Sequence, residues 1–199
     1  YNMLRTAHMP VRREFLDAAD ELGMMIYDEW SCAFITGMNE KEFEKNNLPE
    51  LERFLRADYN HPSVVMWSLG NEVPHWRDPA ILRQLAKQSA LTRRIDRQKR
   101  PLCAFAGNGN VDSYGRSYID TDVVDLHLYT GMTEAWTRWD RVFDGYYNMC
   151  AGVFGDGKRI TKPVIISECI GGGWGLYPDP SFKLGDVDRY LELVQRPFT

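Results

Sequence analysis

Short, almost unbroken apolar runs alternate along this chain with longer stretches whose apolar residues recur at helical spacing. The runs at residues 64–67 and 164–166 lack the polar alternation of a half-exposed strand, so they indicate strands buried on both faces of a parallel sheet. Six strands are predicted in this way, at residues 2–6, 24–28, 64–69, 101–106, 123–128 and 163–167. Strands that alternate with helices predict an α/β protein with parallel strands.

Helices are predicted between these strands at residues 12–22, 41–58 and 79–95, with a last one at 186–195. Gly23 follows the first helix at a position typical of a helix stop. Asp78 and Pro79 open the third helix as its N-cap and first helical residue. Pro49 predicts a break inside the second, or the first turn of a new helix. The pattern of residues 137–149 is ambiguous.

Two parallel architectures stay open at this point, an open doubly wound sheet and a closed eight-stranded barrel. The dinucleotide-binding form of the open sheet needs G-x-G-x-x-G after a strand, and the sequence has no such motif. The three glycines at 171–173 lead into Trp174 rather than into a helix, which indicates an active-site loop. A length of 199 residues suits a single domain spanning residues 1–199.

The composition excludes several classes of partner. Lys and Arg number 24 against 28 Asp and Glu, a net charge of −4, so no nucleic-acid partner is predicted. No run approaches the roughly 20 apolar residues of a membrane span, so no membrane partner is predicted either. The chain opens at Tyr1 without a visible signal peptide. We expect a soluble protein whose true N-terminus is absent, with extracellular, periplasmic and cytoplasmic locations all open.

Polar and acidic side chains follow the apolar runs at their carboxyl ends. In a parallel barrel these ends open on one face, and that face carries the active site. The residues at these ends are Arg5, His8, Asp28, Glu29, Asn71, Glu72, His127, Tyr129, Ser167 and Glu168.

Glu72 and Glu168 are the strongest candidates because each follows an unbroken apolar strand and so leaves the core at a rigid point. Two facing carboxyl groups are what glycosidic cleavage requires: one protonates the leaving oxygen, and the other attacks the anomeric carbon or activates water. From the pattern alone, salt bridges to Arg5 and other cations explain the same acids equally well. A metal site built from the strand-end histidines and acids is a third reading, which no H-E-x-x-H or H-x-H motif supports.

Residues 58–72 read DYNHPSVVMWSLGNE and closely resemble the acid/base signature of glycoside hydrolase family 2, which includes β-galactosidases, β-glucuronidases and β-mannosidases. Residues 2–10 are similar to the segment around the family's second strand, and residues 15–29 to the helix and strand that follow it. Residues 162–168, KPVIISE, resemble the strand that carries the family's nucleophile. These segments occur in the family's order and cover most of the chain.

The resemblance implies a TIM-barrel catalytic domain that hydrolyses the O-glycosidic bonds of β-glycosides with retention, with no cofactor and no metal. Glu72 then acts as the acid/base and Glu168 as the nucleophile. Asn71 is expected to hydrogen-bond the sugar hydroxyl beside the anomeric carbon, and Tyr129 to donate to the nucleophile. Arg5 is expected beneath the nucleophile, where it favours the ionised carboxylate.

Four further residues are expected around the carbohydrate substrate. The resemblance implies that His8 lines the sugar site and that Asp28 and Glu29 bind substrate hydroxyls, with Glu29 better suited to supporting other side chains. Trp174 is expected to stack on a sugar ring. Structural roles stay open beside these, a cap for His8 and a loop anchor for Trp174.

The chain departs from the family in its strand count. Its six predicted strands correspond by motif to strands two to seven of an eight-stranded barrel. The first and eighth strands are neighbours, so we expect one open side whose edges favour a homo-oligomer. The family's β-sandwich domains are also missing, which predicts a piece of a larger glycosidase. The alternative function is therefore a carbohydrate-binding or inactive barrel fragment, and the sugar and linkage are not predicted.

Overall fold

Strands and helices alternate along the chain as the sequence predicts. A computed structural model describes residues 2–33, 38–75, 78–110, 119–128 and 135–169. The predicted helix at 186–195 and the loop at 171–173 lie outside these ranges. Within them the elements are β1 (Met3–Arg5), α1 (Arg13–Leu22), β2 (Met25–Glu29), α2 (Glu40–Asp58), β3 (Val64–Ser68), α3 (Pro79–Ile95), β4 (Leu102–Cys103), β5 (Val124–Leu128), α4 (Ala135–Phe154) and β6 (Val164–Cys169).

The strands pair in chain order, and every pair is parallel. β1 to β4 form one sheet, and β5 and β6 form a second pair. Parallel strands in sequential order, each separated from the next by a helix or loop, are the strand arrangement of a TIM barrel. The predicted α/β fold, with about six of eight barrel strands, is confirmed for the described residues, although β4 has only two residues instead of the expected six.

Two asparagine side chains join the two sheets between β4 and β5. Asn108 donates from Nδ2 to the Val123 carbonyl at 3.2 Å and accepts from the Asp125 amide at 3.1 Å. Asn110 forms the same two-way contact with the backbone of His127, at 2.8 Å in each direction. A side-chain amide carries the same donor and acceptor as a peptide group, so these residues extend the backbone contact that the Gly109 amide makes with the Asp125 carbonyl at 2.7 Å. They hold β5, and His127 with it, in a fixed position against the rest of the barrel.

Helix termini follow local sequence rules. α1 ends at Gly23, whose φ of +67° is a conformation that glycine adopts without a Cβ penalty. α3 begins after Asp78, whose side chain accepts from the Ala80 amide at 2.8 Å, so the predicted N-cap is confirmed. The ambiguous segment at 137–149 lies inside α4.

The prediction of a helix break at Pro49 is wrong. α2 runs without interruption from Glu40 to Asp58. Pro49 lies on the exposed side of the helix, so the Lys45 carbonyl that loses its N–H partner faces water. Leu51 and Leu55, both fully buried, anchor the second half of the helix in the core.

The strands separate two buried layers. Apolar residues from the strands and from helices α1, α2 and α3 form the outer core, which includes Leu16, Ile26, Leu51, Leu55, Trp67, Leu69 and Leu102. Tyr27 and Met66 belong to a smaller cluster on the other face of the strands, inside the barrel. Strand residues alternate between faces, so Glu29, two residues after Tyr27, also faces the interior. Arg5 pairs with Tyr27 in register and faces the same side. No helix in the described part of the chain is both long and apolar enough to cross a membrane.

Candidate active site

Side chains from five strands converge at the carboxyl ends of the barrel. They come from β1 (Arg5), β2 (Glu29), the turn after β3 (Asn71 and Glu72), β5 (His127) and β6 (Ser167 and Glu168). One carboxylate oxygen of Glu72, one of Glu168 and one ring nitrogen of His127 all lie within 4.8 Å of one another. The structure therefore brings the two predicted catalytic acids into one cluster, although 96 residues separate them along the chain.

Arg5 is the cationic centre of this cluster, and its side chain is 6% exposed. Its Nε and Nη2 donate to the two carboxylate oxygens of Glu29 at 2.8 and 2.9 Å. Its Nη1 donates to Glu168 Oε1 at 2.6 Å, and its Nη2 to Asn71 Oδ1 at 2.6 Å. Burial alone would lower the pKa of Arg5, but the bonds to Glu29 and Glu168 outweigh it and raise the pKa above its usual value. A permanently charged, bidentate guanidinium fixes all three partners.

Glu72 leaves the sheet through a tight turn after β3. A Cβ at Gly70 would collide with the Cys32 carbonyl oxygen, so position 70 requires glycine. The Asn71 amide donates to the same carbonyl at 3.1 Å, and the Glu72 amide donates to the Ala106 carbonyl at 3.0 Å. Glu72 has a φ of +46°, in the left-handed region that side chains other than glycine rarely adopt. Backbone contacts on both sides hold this strained residue, which presents its carboxyl group at a defined point.

Sequence reasoning placed His127 on the active-site face but assigned it no role in glycoside hydrolysis. Its ring is fully buried, with Nδ1 2.7 Å from Glu72 Oε1 and Nε2 3.6 Å from Glu168 Oε1. Its Nε2 also lies 3.2 Å from the Ser167 hydroxyl. The sequence marked His127 only as a polar strand-end residue and a metal-ligand candidate. Its place two residues after Asp125 on an otherwise apolar strand was the available signal, since both then share the interior face.

Exposure separates the acids of the cluster. The side chains of Glu72 and Glu168 are 17% and 22% exposed, whereas Glu29 is fully buried. Asp125 is also fully buried, and burial raises its pKa to about 6. The Tyr27 hydroxyl donates to Asp125, and so does the Ser167 amide, each at 3.1 Å. Glu29 and Asp125 therefore form the floor of the cluster, and the two partly exposed glutamates face outward.

Of the remaining predicted site residues, Asn71 and His8 lie within the part of the chain that the structure describes. Asn71 is 1% exposed, and its bond to Arg5 turns the amide oxygen toward the guanidinium. His8 is 41% exposed at the rim, with Nδ1 3.3 Å from Glu29 Oε1. Tyr129 and Trp174 lie outside the described residues, so their expected contacts with the nucleophile and with a sugar stay predictions.

Comparison with known proteins decides the family. The sequence model of the glycosyl hydrolases family 2, TIM barrel domain, matches residues 1–172. The chain belongs to glycoside hydrolase family 2. The β-glucuronidase of Mus musculus is 28% identical over 177 residues, which is 84% of this chain and 25% of that protein. The β-glucuronidase of Paenibacillus borealis is 35% identical over 111 residues, 49% of this chain and 18% of that protein.

Solved structures of the family share the fold. A β-glucuronidase from Ruminococcus gnavus in complex with D-glucaro-d-lactam superposes with a TM-score of 0.68 at 25% identity, over 84% of this chain and 29% of that one. A family 2 β-galacturonidase from Eisenbergiella tayi superposes with a TM-score of 0.66 at 23% identity, also over 84% and 29%. The chain thus spans less than a third of the length of these relatives.

Asp28 does not face the cluster around Arg5, so the prediction that it binds substrate hydroxyls is wrong. It lies between Tyr27 and Glu29 in β2, so it faces the opposite side of the sheet, and it is fully buried. It accepts from the Thr6 hydroxyl at 3.1 Å through Oδ1, and its nearest charged influence is Asp58 at the end of α2. Burial, reinforced by the charge of Asp58, raises the pKa of Asp28 to about 8. Asp28 is a buried structural acid beneath the helix layer.

The substitution Asp28→Asn is expected to remove a pH dependence of stability. The folded state keeps the Asp28 proton up to about pH 8. The unfolded chain loses it near the ordinary pKa of about 3.9. Between these values the folded state binds more protons, so the free energy of unfolding falls as pH rises, by up to about 1.4 kcal/mol per pH unit. Asparagine does not titrate, so this slope should disappear in the variant. Urea unfolding at about pH 5 and about pH 8 measures the difference.

An exposed aspartate on α4 provides the control for this comparison. Asp144→Asn is expected to leave the pH dependence of the wild-type chain unchanged, because this carboxyl group is exposed. The expectation is wrong if Asp28→Asn loses as much stability as the wild type between the two pH values.

Two groups of side chains within the described ranges have a geometry that suits a metal ion, and each has an explanation without one. The first is Glu72, His127 and Glu168, the centre of the site itself. The second is Asp17, Asp20 and His61. There His61 Nδ1 lies 2.7 Å from an Asp20 oxygen, and the second Asp20 oxygen accepts from the Ser63 amide. The second group therefore ties α1 to the residues before β3.

Proposed function

We propose that the protein hydrolyses β-glycosides by a retaining, double-displacement mechanism, with Glu168 as nucleophile and Glu72 as acid/base. The observation that carries the proposal is the separation of the two partly exposed carboxylates, whose nearest described oxygens lie within 4.8 Å. Retaining glycosidases place their carboxyl groups about 5–5.5 Å apart, whereas inverting enzymes need about 6.5–9.5 Å to fit a water. An upper bound of 4.8 Å between the nearest oxygens lies at the retaining end of this scale.

The surroundings of the two acids support different roles. Arg5 donates to Glu168 at 2.6 Å in a charge-assisted bond, which suits a group that must attack as a carboxylate. Glu72 bonds to the imidazole of His127 at 2.7 Å, a partner that suits a group that must give up and take back a proton. Two acids in contrasting environments are the usual basis for dividing acid and nucleophile roles.

The reaction follows in two balanced steps. Glu168 attacks the anomeric carbon while Glu72 protonates the departing oxygen, so the glycosidic bond breaks and a glycosyl ester of Glu168 forms. Glu72, now a carboxylate, removes a proton from water, and that water attacks the anomeric carbon and releases Glu168. Asn71, held by Arg5 through its oxygen, directs its NH2 group away from the guanidinium and is proposed to donate to the sugar hydroxyl beside the anomeric carbon.

Aryl β-glycosides are the substrates with which to begin. The relatives are named β-glucuronidase, so an aryl β-D-glucuronide is the first choice, followed by the β-D-galactoside and β-D-mannoside. The same panel made as 2-deoxy-2-fluoro glycosides with a good leaving group should accumulate the ester on Glu168. Peptide mapping by mass spectrometry identifies the labelled residue.

The labelling experiment separates the two candidate functions. A label on Glu168 together with turnover of one aryl glycoside supports a retaining glycosidase. Sugar binding without label or turnover supports the carbohydrate-binding alternative and overturns the proposal. A label on any residue other than Glu168 overturns the assignment of the nucleophile.

A further inference from the structure

The imidazole of His127 is held from every side that the structure describes. Its backbone is bonded in both directions by Asn110, and its side chain is fully buried. A Cβ on Gly107 would lie 3.0 Å from the ring atoms Cε1 and Nδ1, so the ring packs closely against this glycine. Gly107 has a φ of +79°, which also favours glycine. The orientation of the ring is therefore fixed by packing before any bond to Glu72 is considered.

The hydrogen bonds of Ser167 indicate which ring nitrogen carries the proton. Arg5 Nη1 lies 3.3 Å from Ser167 Oγ, and because a guanidinium only donates, Ser167 accepts there. Ser167 keeps its own proton to donate, and His127 Nε2 at 3.2 Å is an acceptor within reach of it. A neutral imidazole that accepts at Nε2 carries its proton on Nδ1, the nitrogen that faces Glu72 Oε1 at 2.7 Å. With this tautomer the direction of donation runs from Arg5 through Ser167 and His127 to Glu72.

We propose that His127 is a positioning residue for the acid/base Glu72, and that Ser167 selects the imidazole tautomer that performs this task. The inference rests on the proposed function and adds to it two residues, His127 and Ser167, and the direction in which they donate hydrogen bonds. The Nδ1–H group of His127 donates its hydrogen bond to Oε1 of Glu72. The proton that Glu72 transfers to the leaving oxygen is therefore carried on Oε2. The same bond persists and strengthens when Glu72 becomes a carboxylate, so the group stays in place to act as a base in the second step.

A matched pair of substitutions isolates the Nδ1 donor. His127→Asn places an amide NH2 at the position of Nδ1, the same number of bonds from the backbone, and keeps a donor toward Glu72. His127→Gln places its amide one bond further, at the position of Nε2, and loses that donor. For an alkyl β-glycoside, whose poor leaving group needs protonation, kcat/KM should stay within about tenfold of wild type in His127→Asn. It should fall about 10²-fold in His127→Gln.

Two further readouts distinguish positioning from packing. With a 2,4-dinitrophenyl glycoside, whose leaving group needs no proton, the first step in His127→Gln should change less than about tenfold. The alkaline limb of kcat/KM should move to higher pH in His127→Gln, because a bond that favours ionised Glu72 is lost, and stay in place in His127→Asn. The other charged groups facing this corner, Arg5 on β1, Glu29 on β2, Asp125 on β5 and Glu168 on β6, are the same in both variants.

Ser167→Ala tests the tautomer and provides a variant that leaves the ring in place. Loss of the hydroxyl removes the bond from Ser167 to Nε2, so kcat/KM for the alkyl glycoside should fall by about three- to tenfold, again with a shifted alkaline limb. Thermal unfolding of each variant checks the fold. If His127→Gln does not fold, the activity and pH profile of Ser167→Ala test the proposal.

The outcomes separate this inference from the proposed function. If the wild type turns over no glycoside and takes no label, the proposed function fails. The positioning role is overturned if the wild type is active and His127→Asn and His127→Gln lose the same activity with both leaving groups. It is also overturned if neither variant loses activity. An unchanged rate and pH profile in Ser167→Ala overturns the tautomer assignment.

Discussion

The substitution Glu168→Gln is expected to lower kcat/KM for an aryl β-glycoside on the order of 10⁴-fold or more, as removal of an enzymatic nucleophile does. An amide has the shape of the carboxylate but cannot form the glycosyl ester, so the first step has no attacking group. A loss of this size corresponds to about 5.5 kcal/mol of transition-state stabilisation. Release of the aryl alcohol, followed at saturating and at low substrate concentration, measures the effect.

The fold should survive this substitution, because Arg5 keeps both of its bonds to Glu29 and the new amide oxygen can still accept from Nη1. The control is Glu21→Gln on α1, an exposed position of the same chemistry, which should leave both turnover and thermal unfolding unchanged. A Glu168→Gln variant that keeps more than about one tenth of wild-type kcat would show that another group is the nucleophile.

The strands could be predicted from the sequence because their signal is local. Short runs rich in apolar residues marked all six, and the polar residues at their ends marked the face on which Glu72 and Glu168 meet. β4 is shorter than predicted, since after Cys103 its pairing with the β3 side continues only as an isolated bridge between Ala106 and Asn71, and Asn108 and Asn110 bond the next stretch to the β5 side through side-chain amides. An asparagine that replaces a peptide group has no distinctive spacing, so the sequence gives no indication of it.

The errors within the site have a common physical origin. Asp28 and Glu29 are adjacent and equally acidic, and only the face of the strand on which each lies separates a buried structural acid from a partner of Arg5. A one-residue uncertainty in strand phase reverses this assignment. The role of His127 was missed because it depends on contacts with Glu72 and Ser167, which are 55 and 40 residues away in the chain. Such contacts exist only once the barrel has brought the strands together.

The substitution Glu72→Ala is expected to separate the two steps of the reaction. For an alkyl β-glycoside, kcat/KM should fall by about 10²- to 10⁴-fold, the usual contribution of a general acid. With a 2,4-dinitrophenyl glycoside the first step needs no proton and stays fast, but the second lacks its base. The glycosyl ester of Glu168 should then accumulate, so dinitrophenol appears as a burst followed by a slow phase. Stopped-flow absorbance measures both phases, and the burst amplitude should match the enzyme concentration.

Azide then assigns the two glutamates by stereochemistry. In Glu72→Ala the anion enters the space left by the side chain and needs no base, so it should speed the slow phase and give the β-glycosyl azide. In Glu168→Ala it should instead replace the missing nucleophile on the opposite face of the sugar, and a single displacement gives the α-glycosyl azide. The anomeric proton coupling in the NMR spectrum of the product distinguishes the two azides. If the anomers are exchanged between the variants, the roles of Glu72 and Glu168 are exchanged as well, since each product records the face from which its carboxyl group acted.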